Sequence, residues 1–133
     1  MSTTATGGYA GQTWDEHPYE GIEGEPKLTR AFVTNTFTGD IAGKGTLEYL
    51  MVYREDGSVP FLGLERVDGR IGDRAGSFVL RHEGTFNAGV AEARWSVVPG
   101  TGTGDLRGLR GEGGFVARHG EEQATFTLDY DLD

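Results

Sequence analysis

The chain reads as an all-β protein: an eight-stranded antiparallel β-barrel closed on itself, lipocalin-like in general shape. Three observations predict it. Strand-like runs punctuated by turn residues recur at short, fairly regular spacing. No stretch carries a helical period. Glycine is in large excess, with 23 among 133 residues, against about 7 % in average proteins. These glycines spread along the chain with only four prolines. That distribution suits the bulges and corners of a small barrel better than a linker or a collagen repeat.

The first run is Tyr9 to Glu16, after residues 1–7, which read as a flexible tail. The stretch from His17 to Lys27 holds Pro18, Gly21, Gly24 and Pro26 and reads as a mobile lid. The second run, Leu28 to Phe37, turns at Thr38-Gly39-Asp40 into a third, Gly45 to Arg54. Asp56-Gly57 is a strong hairpin signal before the fourth run, Phe61 to Ile71. The fifth is Gly76 to Phe86 and the sixth Val90 to Val98. A glycine-rich crossing, Pro99 to Gly111, precedes the seventh, Glu112 to Arg118, and a tight turn at His119-Gly120 leads to the eighth, Ala124 to Leu132. Short turns imply antiparallel neighbours. About eight strands is the size at which a closed barrel just holds side chains or one small ligand. One domain accounts for residues 1–133.

Alternation assigns faces. Phe78, Leu80, His82 and Phe86 point inward from the fifth run, Trp95 from the sixth, and Phe126, Leu128, Tyr130 and Leu132 from the eighth. The third and fourth runs are apolar on both faces, so their inner face is left open by the pattern. Cover on the outside as well as the inside is expected there, and a subunit contact in a homodimer or homotrimer would supply it.

Composition removes several classes of function. Twelve Lys and Arg against 21 Asp and Glu give a net charge of −9. A nucleic-acid partner would need a basic stripe, and anionic lipid would repel such a chain, so neither nucleic acid nor membrane is expected. No stretch approaches the roughly 20 apolar residues of a membrane span. The N-terminal residues have neither the basic nor the apolar region of a signal peptide. Cysteine is absent, which removes disulfides and thiolate metal sites and fits a cytoplasmic protein. The three histidines His17, His82 and His119 lack metal-ligand spacing, and no metal or cofactor is expected.

The residues that can carry chemistry are few. His82 sits on an apolar face and reads either as a core histidine or as an acid or base in the barrel interior. Glu65 and Arg66 are adjacent in an apolar strand, so only one of them enters the barrel, where it needs a partner. Arg30 and Glu48 on neighbouring strands are candidate partners. Trp14, Tyr53, Phe78, Phe86, Trp95 and Tyr130 are candidate lining for a ligand and, equally, ordinary core. The Gly100 to Gly114 stretch lacks the Lys-Ser/Thr pair and following helix of a phosphate loop and reads as a corner.

Several segments resemble one bacterial family of unknown function, DUF3224. They are Lys27 to Ala31, Gly39 to Gly43, Gly63 to Gly69, Gly76 to Phe86 and Gly102 to Gly113, and the resemblance spans about Gly8 to Leu132. That family in turn resembles the allene oxide cyclase and dirigent barrels. The resemblance implies an eight-stranded barrel that assembles as dimers or trimers, and it carries over no activity and no catalytic residue. Together these readings give the expectation of a cofactor-free cyclase or isomerase acting on a small hydrophobic molecule in the barrel. Glu65 or Glu48 would be acid or base, Arg30 an electrostatic clamp and His82 a proton relay. The rivals are a ligand-carrying barrel without chemistry and a filled structural module.

Overall fold

Alternating patterns separated by tight turns can bury every inner face at once only by closing the sheet, which also removes its edges. The computed structural model, which describes residues 3–19, 21, 23–121 and 123–132, closes in this way. Strands β1 (Thr3–Pro18), β2 (Lys27–Gly39), β3 (Ile41–Tyr53), β4 (Val59–Ile71), β5 (Arg74–Asn87), β6 (Val90–Val97), β7 (Arg110–Arg118) and β8 (Ala124–Asp131) run antiparallel in chain order. β1 pairs with β8 to close the barrel. One short 3-10 turn, Gly104–Leu106, interrupts the crossing between β6 and β7. Among the described residues no helix is long and apolar enough to cross a membrane.

The eight expected runs are the eight strands, but two of them start well before the residue read: β3 begins at Ile41 and not Gly45, and β1 carries the larger correction. β1 begins at Thr3, not Tyr9, because Thr3 to Tyr9 pairs with Tyr130 to Ala124. Residues 3–7 are therefore an integral strand and no tail. Gly7 and Gly8 blank out the alternation that would have revealed it. Of the expected lid, Glu20 and Ile22 lie outside the described residues. The Asp56-Gly57 hairpin forms as read: Gly57 takes φ of 88°, and the Asp56 carboxylate accepts from the Ser58 amide at 3.0 Å and from its hydroxyl at 2.6 Å.

The structure settles the two ambiguous strands. Leu47, Tyr49, Met51 and Tyr53 face inward from β3, and Phe61, Glu65 and Val67 from β4. The opposite faces carry Leu50, Leu62 and Leu64, each 44–57 % exposed, with Leu28 and Phe32 of β2 beside them. This outer apolar face is the one for which a subunit contact was expected. β1 changes parity midway. Its register with β2 shifts between Gly11 and Thr13, a bulge that turns Trp14 toward the barrel mouth.

One end of the barrel is filled. Phe37, Phe78, Phe126, Leu80 and Leu128 are fully buried there. The crossing runs beside β5, tied by the Thr103 amide to Ser77 O at 2.8 Å and by Val79 N to Thr101 Oγ1 at 3.0 Å. From it Leu106 and Leu109 bury themselves in the core. The glycine-rich stretch is thus a plug, in keeping with its reading as a corner.

Candidate functional site

The other end is open. A cavity of about 610 Å³ enters the barrel there. Its mouth is built by Trp14 and Tyr53, by Gly57 and Val59 of the β3–β4 hairpin, and by Phe86 and Arg118. Its walls are apolar, among them Val33, Leu47, Met51, Phe61 and Phe115. Its floor is polar, where Tyr9, Asn35 and Tyr49 meet. Behind them, fully buried, stand Glu65 and His82.

These five side chains form one hydrogen-bonded unit. His82 Nε2 lies 2.8 Å from Glu65 Oε1. The Tyr9 hydroxyl donates to the same carboxylate, 2.9 Å from Oε1 and 3.0 Å from Oε2. Asn35 Nδ2 donates to Glu65 Oε2 at 2.8 Å and to the Tyr9 oxygen at 2.6 Å. Tyr49 Oη stands 3.2 Å from His82 Nδ1, on the far side of the ring. The result is a chain from Tyr49 through His82 and Glu65 to Tyr9 and Asn35. A buried carboxylate is tolerable only with such partners, since an unpaired one carries a large desolvation penalty.

Glycines make the space for this unit. Asn35 lies in register between Gly11 and Gly45, and Gly63 lies between Tyr49 and His82. A Cβ on Gly45 would collide with the Glu65 carboxylate, and one on Gly63 would come 2.8 Å from the Tyr49 ring. Some of the excess glycine therefore serves the interior rather than the corners. Trp95 underlies the unit, edge-on to Tyr9 and His82 at 5.5 and 5.3 Å between ring centres, with its indole N–H on Thr127 O at 3.0 Å.

Burial first, and then the charge of Glu65, push the phenols of Tyr9 and Tyr49 well above the ordinary tyrosine range. Both are neutral hydroxyls at any physiological pH. At the mouth a second pair forms. The Tyr53 hydroxyl donates to Glu16, which also accepts from Trp14 Nε1 at 2.9 Å. Partial burial, followed by the hydrogen bond and charge of Glu16, pushes Tyr53 up to about 12. For Glu16, burial works upward but is outweighed by its hydrogen bonds, led by that from Tyr53, so its carboxyl lies below the usual range.

The expected site residues divide. Glu65 and His82 meet inside the barrel, whereas Glu48 and Arg30 do not join them. The latter two occupy outward positions of β3 and β2 and pair with each other across the outer surface at 3.5 Å, both about half exposed. Strand parity is the reason: Leu47 and Tyr49 point in, so Glu48 points out. Neither Arg30 nor Glu48 is the partner of Glu65, and Arg66 is also exposed. Of the expected lining, Trp14, Tyr53 and Phe86 border the cavity. Phe78 is corrected to the filled end, Trp95 to the layer beneath the floor, and Tyr130 to a partly buried place against the core away from the cavity. Tyr9, Asn35 and Tyr49 went unrecognised. The signal for Asn35 was present, a polar residue at an inward position between Val33 and Phe37. Among the described residues no group of three His, Cys, Asp or Glu is placed to hold a metal ion. His17 contacts Asp15 at 3.0 Å on the surface, and His119 is exposed in its turn.

The fold and this interior define a closed eight-stranded barrel plugged at one end and open at the other, with a polar floor beneath an apolar cavity. The chain belongs to the family described as a protein of unknown function, DUF3224, whose model matches residues 5–130. A similar solved structure is that of a protein of unknown function of the same family from Shewanella oneidensis MR-1. It has a TM-score of 0.80 and 26 % identity, covering 100 % of this chain and 98 % of that one. No curated protein matches the chain.

Proposed function

We propose that the chain binds one small, largely apolar molecule in the open end of the barrel and isomerises or cyclises it without a cofactor. The observation that carries this reading is the buried Glu65–His82 pair set directly behind the cavity floor, with Tyr49 between it and the cavity. Such a pair can take and return a proton. Tyr49 receives a proton from the bound molecule as it passes its own to His82 Nδ1. The imidazolium so formed is stabilised by the Glu65 carboxylate, which accepts from Nε2. The proton returns to another atom of the same molecule, and no oxidant or metal enters the balance. The apolar walls hold a flexible substrate in one folded shape, which lowers the entropy cost of ring closure.

The test is incubation of the protein in heavy water with a small-molecule extract of its source cells, then native mass spectrometry and chromatography of what it retains. A compound with altered retention or added deuterium is the expected result. Glu65→Gln and Tyr49→Phe should slow that change by about a hundredfold or more, while leaving the compound bound. A compound retained unchanged by the parent protein would replace the enzyme with a carrier. No retained compound would remove both.

A further inference from the structure

The polar floor also specifies the head group it accepts. Asn35 Nδ2 spends both hydrogens inside the unit, one on the Tyr9 oxygen and one on Glu65 Oε2. The opposite amide orientation is excluded, because it would set the amide oxygen against the carboxylate. Oδ1 therefore turns away from the unit. It accepts no hydrogen bond among the described residues, and it is not sealed from solvent as Thr29 Oγ1 is. The space in front of it is kept open by Gly11, its register neighbour on β1 and a fellow lining residue. A Cβ on Gly11 would lie 3.7 Å from Oδ1 and touch nothing else within 4 Å. The Tyr9 hydroxyl has spent its one proton on Glu65 while accepting from Asn35, so it offers a ligand no donor. What the floor offers a ligand is thus a bare carbonyl acceptor beside the Tyr49 hydroxyl.

The geometry points to a ligand class: small, largely apolar molecules whose deep end carries a hydrogen-bond donor, an alcohol, phenol, enol or amine, and not a carboxylate, ketone or ether. A donor head group satisfies Asn35 Oδ1 and sets its own X–H beside Tyr49. An acceptor-only head group brings lone pair against lone pair there and leaves a desolvated carbonyl unpaired. A carboxylate adds repulsion from Glu65, which has no Lys or Arg partner within the unit. This inference rests on the proposed function, since it presumes that the cavity is a binding site. It adds the polarity of the bound molecule.

Three probes of one shape separate the possibilities: 2-naphthol, 2-methoxynaphthalene and 2-naphthoate. Their affinities are measured by calorimetry, with the Asn35 side-chain amide and Tyr49 ring signals followed by NMR. The expected order places 2-naphthol about tenfold tighter than the methyl ether, with naphthoate weakest and the Asn35 amide shifted by naphthol alone. Equal affinities, or tighter naphthoate, would overturn the head-group inference and leave the binding cavity standing. If none of the three binds, the proposed function falls and this inference with it. Gly11→Ala supplies a variant that the backbone tolerates, since its methyl meets Oδ1 at ordinary contact distance. It should erase most of naphthol's advantage over the ether, and an unchanged advantage counts against Oδ1 as the acceptor.

Discussion

The two ends of this barrel are built by the same eight strands and behave oppositely. At the plugged end Phe37 and Phe126 meet edge-on at 5.7 Å between ring centres, and Leu106 and Leu109 are buried with them in the core. At the open end Trp14 and Phe86 stand 53 % and 40 % exposed around a cavity of about 610 Å³. Aromatic residues are plentiful at both. Their packing partners differ. The crossing between β6 and β7 tucks leucines under one end, while the β3–β4, β5–β6 and β7–β8 hairpins at the other carry no leucine to turn inward. The lesson is a division of labour. Close packing at one end supplies stability, and that stability sustains an open, partly polar interior at the other.

The largest test of the comparison is a pair of truncations. Phe126→Ala should lower stability by about 3–5 kcal/mol, because it opens a void between Phe37 and Trp95. Phe86→Ala should cost about 1 kcal/mol or less, since much of that ring already faces water. Urea unfolding of both variants reads the difference directly. Equal losses would mean that the open end is as tightly packed as the plugged one.

A smaller effect comes from pH at the open rim. Tyr53 is raised in the folded state to about 12. Its contribution to stability is therefore complete below the unfolded value near 10 and is lost as pH climbs from there through the folded value. Glu16 is depressed, so its contribution is complete above the unfolded value near 4.3 and is lost as pH falls through the lowered folded one. NMR titration of the Tyr53 ring should give a midpoint near 12. In Glu16→Gln the midpoint should drop, yet stay above the unfolded value, since burial is the leading cause. A midpoint unmoved by that substitution would show that the rim pair does not form.

The smallest expected effect is on the outer wall. Arg30 and Glu48 are an exposed ion pair, so Glu48→Gln should change stability by about 1 kcal/mol or less. It should leave ligand affinity and turnover untouched. A marked loss of turnover would return Glu48 to the site that its outward position denies it.

Much of the fold was legible without coordinates. Alternation in β5, β6 and β8 named inward faces correctly, and the Thr38-Gly39-Asp40 and Asp56-Gly57 turns placed hairpins where they occur. Legibility failed where one signal hid another. The glycines of β1 carry no polarity and concealed its first turn of pairing with β8. Apolar residues on both faces of β3 and β4 hid their orientation, and with it the fact that Glu65 enters the barrel while Glu48 does not. The bulge after Gly11 changed the parity of Trp14 within a single strand.

The sequence by itself determined the strand count, the antiparallel order and the presence of one charged residue inside an apolar barrel, because period-two alternation and turn chemistry are local properties. Only the tertiary structure decided which polar residues meet. Tyr9, Asn35, Tyr49, Glu65 and His82 come from five strands, and the longest separation within one of their hydrogen bonds is 56 residues. No local pattern encodes such a meeting. It follows from the register around the closed sheet, which sets Gly11, Gly45 and Gly63 where the five side chains need room.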